Sequence, residues 1–205
     1  MTRGLVDSIA VPERIGVFGG TFDPPHVGHL VTAVNVRAAL HLDRVLLVVA
    51  NVPWQKEGSR AITPAEDRWT LADVAVRDVI GLEASRVELD CGGRSYTADT
   101  LAELGRRHPN AELFTILGED AASAFLSWER YGEVAARSTL VVVDRPGFVA
   151  DLPGGFDWRH VEVPHLEVSS TDLRARVVDG RPLDFLLPPA VIAAIRERHL
   201  FCIAA

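Results

Sequence analysis

Short apolar runs rich in β-branched residues alternate along the chain with longer stretches in which apolar positions recur every three or four residues. Runs of the first kind predict strands over 15–18, 44–50, 86–90, 113–117 and 139–143. Stretches of the second kind predict helices over 27–40, 64–80 and 97–107, with short helical pieces at 121–125 and 132–136. The run RVLLVVA at 44–50 is apolar on both faces, as a buried parallel strand requires. Thr63 is the expected N-cap of the second helix, with Pro64 at its first position and Glu66 and Asp67 in its first turn. Beyond Pro146 the pattern loosens. Residues 147–158 hold three glycines and a proline and predict a loop. An edge strand follows over 160–163, then helices over 170–178 and 189–198. Such alternation implies an α/β fold, a doubly wound parallel sheet with helices on both faces and a C-terminal helical portion. Ligands bind such sheets at the carboxyl ends of the strands, so motifs placed just after strands matter most.

Neither an internal repeat, a low-complexity tract nor a linker divides the 205 residues, which are expected to form one domain, 1–205, with residues 1–13 as a frayed tail. Apolar content of 48% and a charged fraction of 24% fit a soluble globular protein. The net charge of −7 argues against nucleic acid or an anionic membrane as the main partner. An acidic chain that binds phosphates must do so through a local cluster of donors. Cys91 and Cys202 match no metal or redox spacing and are expected to be small buried side chains. With no apolar signal segment and no run long enough to span a bilayer, the expected compartment is the cytoplasm. An oligomeric state is not readable from the sequence.

The strongest chemical signal is GGTFDPPHVGH, residues 19–29, directly after the first predicted strand. Gly19 and Gly20 let the backbone turn tightly beside a ligand, and Pro24 and Pro25 stiffen the approach. His26 and His29, three residues apart with Gly28 between them, share one face at the start of a helix. Free amides at that helix N-terminus add positive partial charge. Two imidazoles there suit a polyphosphate and the charge that grows on it during displacement. A metal site is not expected, because two imidazoles are too few and no carboxylate has suitable spacing. Near the C-terminus, Ser169, Ser170 and Thr171 open another predicted helix, with Arg174 in its first turn. They read either as simple caps beside a surface charge or as a second phosphate grip.

The run GGTFDPPHVGH resembles the signature of nucleotidyltransferases that carry an HxGH motif, a superfamily with a Rossmann-like fold, and SSTDLR at 169–174 resembles its second signature. The resemblance to nicotinate-nucleotide adenylyltransferases extends further. It takes in Pro53 and Lys56, Asp67-Arg68, Ser95-Tyr96-Thr97 with Asp99-Thr100-Leu101, Gly118-Glu119-Asp120 with Trp128, Arg145-Pro146-Gly147 and the tail LDFLLPPAVIAAI. Pro53-Trp54-Gln55-Lys56 lacks the histidine common before that lysine, and Trp69 stands where methionine is usual. The resemblance implies ATP-dependent adenylyl transfer to nicotinate mononucleotide, giving nicotinate adenine dinucleotide and pyrophosphate, with Mg²⁺ accompanying ATP.

It also implies roles for residues. His26, His29 and Arg174 would stabilise the triphosphate, and Gly19, Gly20, Gly28, Ser169, Ser170 and Thr171 would line its path. Gly118 would admit the adenosine and Asp120 would accept from a ribose hydroxyl; the alternative for both is a turn with helix-capping acids. Thr21, Phe22 and Lys56 fall on the acceptor side, where Thr21 and Lys56 would meet phosphate. Asp23 reads as a loop-ordering side chain rather than a base. Trp128 would stack on the cationic pyridinium ring, or belongs to the core. Backbone amides at Tyr96 and Thr97 would favour a ring carboxylate over an amide, although Thr97 also reads as a helix N-cap. Competing readings are transfer to nicotinamide mononucleotide, phosphopantetheine or an alcohol phosphate, an NAD-binding redox protein, and a non-catalytic nucleotide-binding protein. The missing G-x-G-x-x-G fingerprint counts against the redox reading.

Overall fold

A computed structural model describes residues 11–53, 61–144 and 151–202. Six strands form one sheet: β1 (Arg14–Gly20), β2 (Arg44–Val49), β3 (Leu82–Ser85), β4 (Glu112–Gly118), β5 (Thr139–Asp144) and β6 (Trp158–Glu162). Their order is β3-β2-β1-β4-β5-β6 and every pairing is parallel. Sequence order therefore runs outward in one direction from β1 and resumes on its other side at β4. The crevice beyond the carboxyl ends of β1 and β4 is the topological switch point where ligands bind.

The helices are α1 (Val27–Ala39), α2 (Ala65–Val76), α3 (Val87–Cys91), α4 (Thr97–Arg107), α5 (Glu119–Ser123), α6 (Tyr131–Arg137), α7 (Ser170–Asp179) and α8 (Pro189–Glu197), with a 3-10 turn at Phe125–Ser127. Alternation along the strands sorts the core into two layers. Val45, Leu47 and Val49 of β2 face α1, α2, α7 and α8, and meet Ala33, Leu71, Leu173 and Ile195. Leu46 and Val48 of the same strand face α3 to α6, and meet Val87, Leu101, Ala122 and Val134. The 44–50 segment is thus buried on both faces, as its composition predicted.

Several expectations are corrected. Residues 86–90 are not a strand: the strand comes earlier, as β3, and this segment is α3. The alternation of RVELD mimics a strand, but the Val87 amide donates to Ser85 Oγ at 3.3 Å, Arg86 and Asp90 pair at 3.4 Å one turn apart, and Gly92 ends the turn with φ 70°. The strand itself, LEAS, is a poor β-former held by pairing to Val45–Val48 and by Glu83 bonding Arg44 at 3.0 Å. The edge strand starts at Trp158, inside the expected loop, because Trp158 Nε1 donates to Pro153 O at 3.1 Å and pins the turn before it. Pro64, not Thr63, is the cap of α2, and Thr63 O instead accepts from Arg68 Nε. The helix stops at Val76, where the chain turns toward β3, rather than at residue 80. Cys91 and Cys202 are both exposed rather than buried: Cys91 closes the short α3, and Cys202 lies in the segment beyond α8.

Candidate active site

The loop after β1 is the most tightly constrained segment of the molecule's surface crevice. Thr21, Phe22, Asp23 and His26 are all buried. Phe22 adopts φ 49°, a left-handed conformation uncommon outside glycine, and its ring lies over Gly20. A Cβ on Gly20 would sit 2.8 Å from that ring, so only glycine fits beneath it. Phe22 then meets His29 edge-on, with centroids 5.0 Å apart. It is a core side chain that supports the imidazole rather than a surface open to substrate.

His26 is the N-cap residue of α1 and folds back over Gly28, where a Cβ would lie 3.0 Å from its Nδ1. The His26 and His29 rings are 3.8 Å apart between centroids. His29 Nδ1 accepts from the His26 amide at 3.2 Å, which leaves the proton of a neutral His29 ring on Nε2. Burial lowers the His26 pKa from 6.5 to about 4. The His26 ring is therefore neutral at physiological pH. The expected supply of free amides at this helix start is smaller than predicted. Val27 N donates to Leu186 O at 3.1 Å, and the His29 and Leu30 amides donate to His26 O. The imidazoles carry more of the donor capacity than the backbone does.

The N-terminus of α7 docks on this loop. Ser170 Oγ donates to Pro24 O at 2.8 Å, and Arg174 Nη1 donates to Asp23 O at 2.8 Å. Arg174 Nη2 also donates to Thr171 Oγ1 at 3.1 Å. Ser169 caps its own helix, accepting from the Asp172 amide at 3.2 Å, so for Ser169 the simple capping role is the one observed. His26, His29, Ser170, Thr171 and Arg174 are thereby brought together.

Beside this grip lies a cleft of about 270 Å³ at the carboxyl ends of β1 and β4, floored by Gly19, Gly20, Thr21 and Gly118 and walled by Ser95, Tyr96, Thr97 and Trp128. Gly19 and Gly118 border open space where a side chain would otherwise intrude. Trp128 is half-buried, packs on Phe125 with centroids 5.8 Å apart and also lines the cleft, a position compatible with both readings of this residue. Tyr96, not Thr97, is the N-cap of α4, and Thr97 is its first helical residue. The Asp99 and Thr100 amides both return to Tyr96 O, which leaves the start of α4 pointing its first amides at the cleft side. Asp120 is exposed in α5 and does not line the cleft. Lys56 and the segment 54–59, like 145–147, lie outside the described residues.

Two residues of this site carry functions the sequence patterns did not reveal. Arg68 is 1% exposed, and its guanidinium donates to Thr63 O at 2.8 Å, Thr21 O at 2.9 Å and Asn51 O at 3.0 Å. It ties the loops after β1 and β2 to the start of α2. Glu88, on α3, lines the cleft and accepts from Thr100 Oγ1 at 2.5 Å. Burial raises its pKa, against hydrogen bonds from Ser95, Thr100 and the Asn51 backbone and the Arg68 charge. Position 68 was legible only as part of a resemblance, and Glu88 sat in a segment misread as a strand. Among the described residues there is no group of three or more His, Cys, Asp or Glu side chains able to hold a metal, and no helix long and apolar enough to cross a membrane.

A profile of the Cytidylyltransferase-like family matches residues 17–176. A protein of Corynebacterium kroppenstedtii named "Probable nicotinate-nucleotide adenylyltransferase" is 43% identical over 192 residues, which cover 92% of this chain and 90% of that one. A Streptomyces coelicolor protein of the same name is 44% identical, covering 89% and 98%. In structure, the chain is similar to the nicotinic acid mononucleotide adenylyltransferase of Plasmodium falciparum complexed with NaAD, with a TM-score of 0.74 at 18% identity, covering 92% of this chain and 97% of that one. The same enzyme complexed with APC gives a TM-score of 0.72 at 17% identity, with the same coverage. At that identity the likeness establishes the six-stranded α/β fold.

Proposed function

Since the chain belongs to the nicotinate-nucleotide adenylyltransferase family, we propose that it is a cytoplasmic enzyme transferring the adenylyl group of ATP to nicotinate mononucleotide, and that the two histidines and the α7 N-terminus perform the phosphate chemistry. The observation that carries this reading is the docking of Ser170 and Arg174 on the Pro24 and Asp23 carbonyls of the loop that leads into His26 and His29. A phosphate oxygen of the acceptor attacks the α-phosphorus in line, the bond to the bridging oxygen breaks, and pyrophosphate leaves. The attacking oxygen is already anionic at neutral pH, so no general base is needed. Catalysis is then positioning and charge stabilisation.

His29 offers an Nε2 proton to the charge developing on the α-phosphate and bridging oxygen, and the buried His26 ring keeps His29 in place. Arg174, with Ser170 and Thr171, is suited to the leaving phosphates. Gly19, Gly20 and Gly118 leave room for the nucleotide, and Thr21 stands beside the acceptor phosphate path. Trp128 stacks on the cationic pyridinium ring, and the first amides of α4 donate to the ring carboxylate. Mg²⁺ is taken to arrive on the triphosphate as part of the substrate, since among the described residues no group of three or more His, Cys, Asp or Glu side chains is placed to hold a metal.

The test is a pyrophosphate-release assay with ATP and Mg²⁺, run in parallel with nicotinate mononucleotide, its amide counterpart and phosphopantetheine. The expected outcome is a dinucleotide from the nicotinate acceptor at the highest kcat/KM. Faster turnover of either other acceptor, or none with all three, would overturn the assignment.

A further inference from the structure

Glu88 is a carboxylic acid inside the proposed acceptor cleft, and its surroundings let it exist with or without a proton. Its Oε1 is 2.5 Å from Thr100 Oγ1, which in turn is 3.3 Å from Tyr96 O. A hydroxyl has one proton and can accept as well as donate. When Glu88 is ionised, Thr100 donates to it. When Glu88 is protonated, its own O–H donates to Thr100 Oγ1, and the threonine proton turns to Tyr96 O. Neither state leaves a polar group of this chain orphaned.

Thr100 stands in the first turn of α4, three residues beyond Thr97. Glu88 is therefore an anion already lodged near the helix end that is suited to a ligand anion. Two carboxylates sharing one site cannot both ionise without cost. Burial disfavours the charged form of Glu88 further. The groups around it are few. Arg68 from α2 is the charge that acts on it, and its guanidinium is committed to three backbone carbonyls. Among the described residues, Tyr96 and Glu129 are the other titratable side chains lining the cleft. On α4, Asp99 is exposed and paired with Arg130 at 2.7 Å. On α3 itself, Arg86 and Asp90 pair at the surface, with Glu66 at 2.7 Å from Arg86, and Arg94 in the following loop is exposed.

We propose that Glu88 is a specificity-determining residue of the acceptor cleft, whose carboxyl takes up a proton from solvent when the ring substituent held at the start of α4 is an anion. This rests on the adenylyl-transfer reading above. A neutral Glu88 removes the like-charge repulsion that an acid acceptor meets, while an amide acceptor binds with Glu88 ionised. Preference for the acid is then coupled to pH.

The readout is the ratio of kcat/KM for nicotinate mononucleotide to that for nicotinamide mononucleotide, as a function of pH. The two share a phosphate and a pyridinium ring, so titrations common to both cancel. In the wild-type enzyme the ratio is expected to fall as pH rises through the titration of Glu88, approaching about tenfold per pH unit at its steepest, the limit for one proton. In Glu88→Gln, which keeps an oxygen for Thr100 but cannot titrate, the ratio is expected to be flat. An equal slope in both proteins overturns the proposal. Should the variant not fold, calorimetry on the wild-type protein in two buffers of different ionisation heat decides. Greater proton uptake with the acid than with the amide supports the proposal, and equal uptake overturns it. Absence of pyrophosphate from either acceptor would instead sink the adenylyl-transfer reading, and the binding calorimetry would still decide on Glu88.

Discussion

The two sides of the crevice are made from different material. On the phosphate side, His26, His29, Ser170 and Arg174 stand at the starts of helices of 13 and 10 residues, each anchored by a buried face on the sheet. The acceptor side is assembled from helices of five residues, α3 and α5, and a three-residue 3-10 turn, joined to the start of α4. Elements that short gain little from their own hydrogen bonds. Side chains that cross between segments help to place this side: Arg68 ties the loops after β1 and β2 to the start of α2, Glu88 on α3 bonds Thr100 on α4, and Phe125 of the 3-10 turn packs on Phe156 and Trp158. The proposed phosphate side is held by regular structure, and the proposed acceptor side leans more on side-chain contacts between short segments.

That contrast is most sharply tested at Arg68. Arg68→Met removes the donor for three carbonyls and the positive neighbour of Glu88 at once. The expected loss is about 3–5 kcal/mol of stability, measured by denaturant unfolding. A loss under about 1 kcal/mol, the scale of an ordinary surface change, would show that the acceptor side does not hang on this bridge. Next in size is His29→Ala, on the rigid side. Turnover at saturating substrates is expected to fall by about 10²–10³-fold, with little change in either KM. Near-normal turnover would move the charge-stabilising role elsewhere. The smallest expected effect is Trp128→Leu, which keeps apolar volume against Phe125 but removes the stacking face. The KM for the nicotinate acceptor should rise by about three- to tenfold, while that for ATP stays put. A matching rise for ATP would mean that the wall, rather than the stack, had been damaged.

The same contrast explains what could be read from the chain. The phosphate side announces itself locally, because His26 and His29 are three apart at a helix start and Ser170 and Arg174 stand one turn apart at another. The parallel sheet was legible for a similar reason, since Arg44–Val49 is apolar on both faces. The meaning of Arg68 and Glu88 is tertiary. Arg68 reaches Thr21 across 47 positions, and nothing in a helix-face pattern distinguishes it from a solvated arginine. Glu88 was hidden by an alternation that α3 imitates in a single turn. Phe22 looked like a ligand contact from its place in the motif, whereas its left-handed backbone turns the ring inward over Gly20. The weak strand β3 escaped notice because pairing with β2, not residue preference, makes it.

The bonds from Ser170 to Pro24 and from Arg174 to Asp23 join positions 146 and 151 apart in sequence. On a translating ribosome, the HxGH loop emerges on the order of ten seconds before the residues that clasp it. A nascent chain can thus pair β1 with β2 early, whereas the clasp of α7 on the β1 loop closes only after α7 has been synthesised.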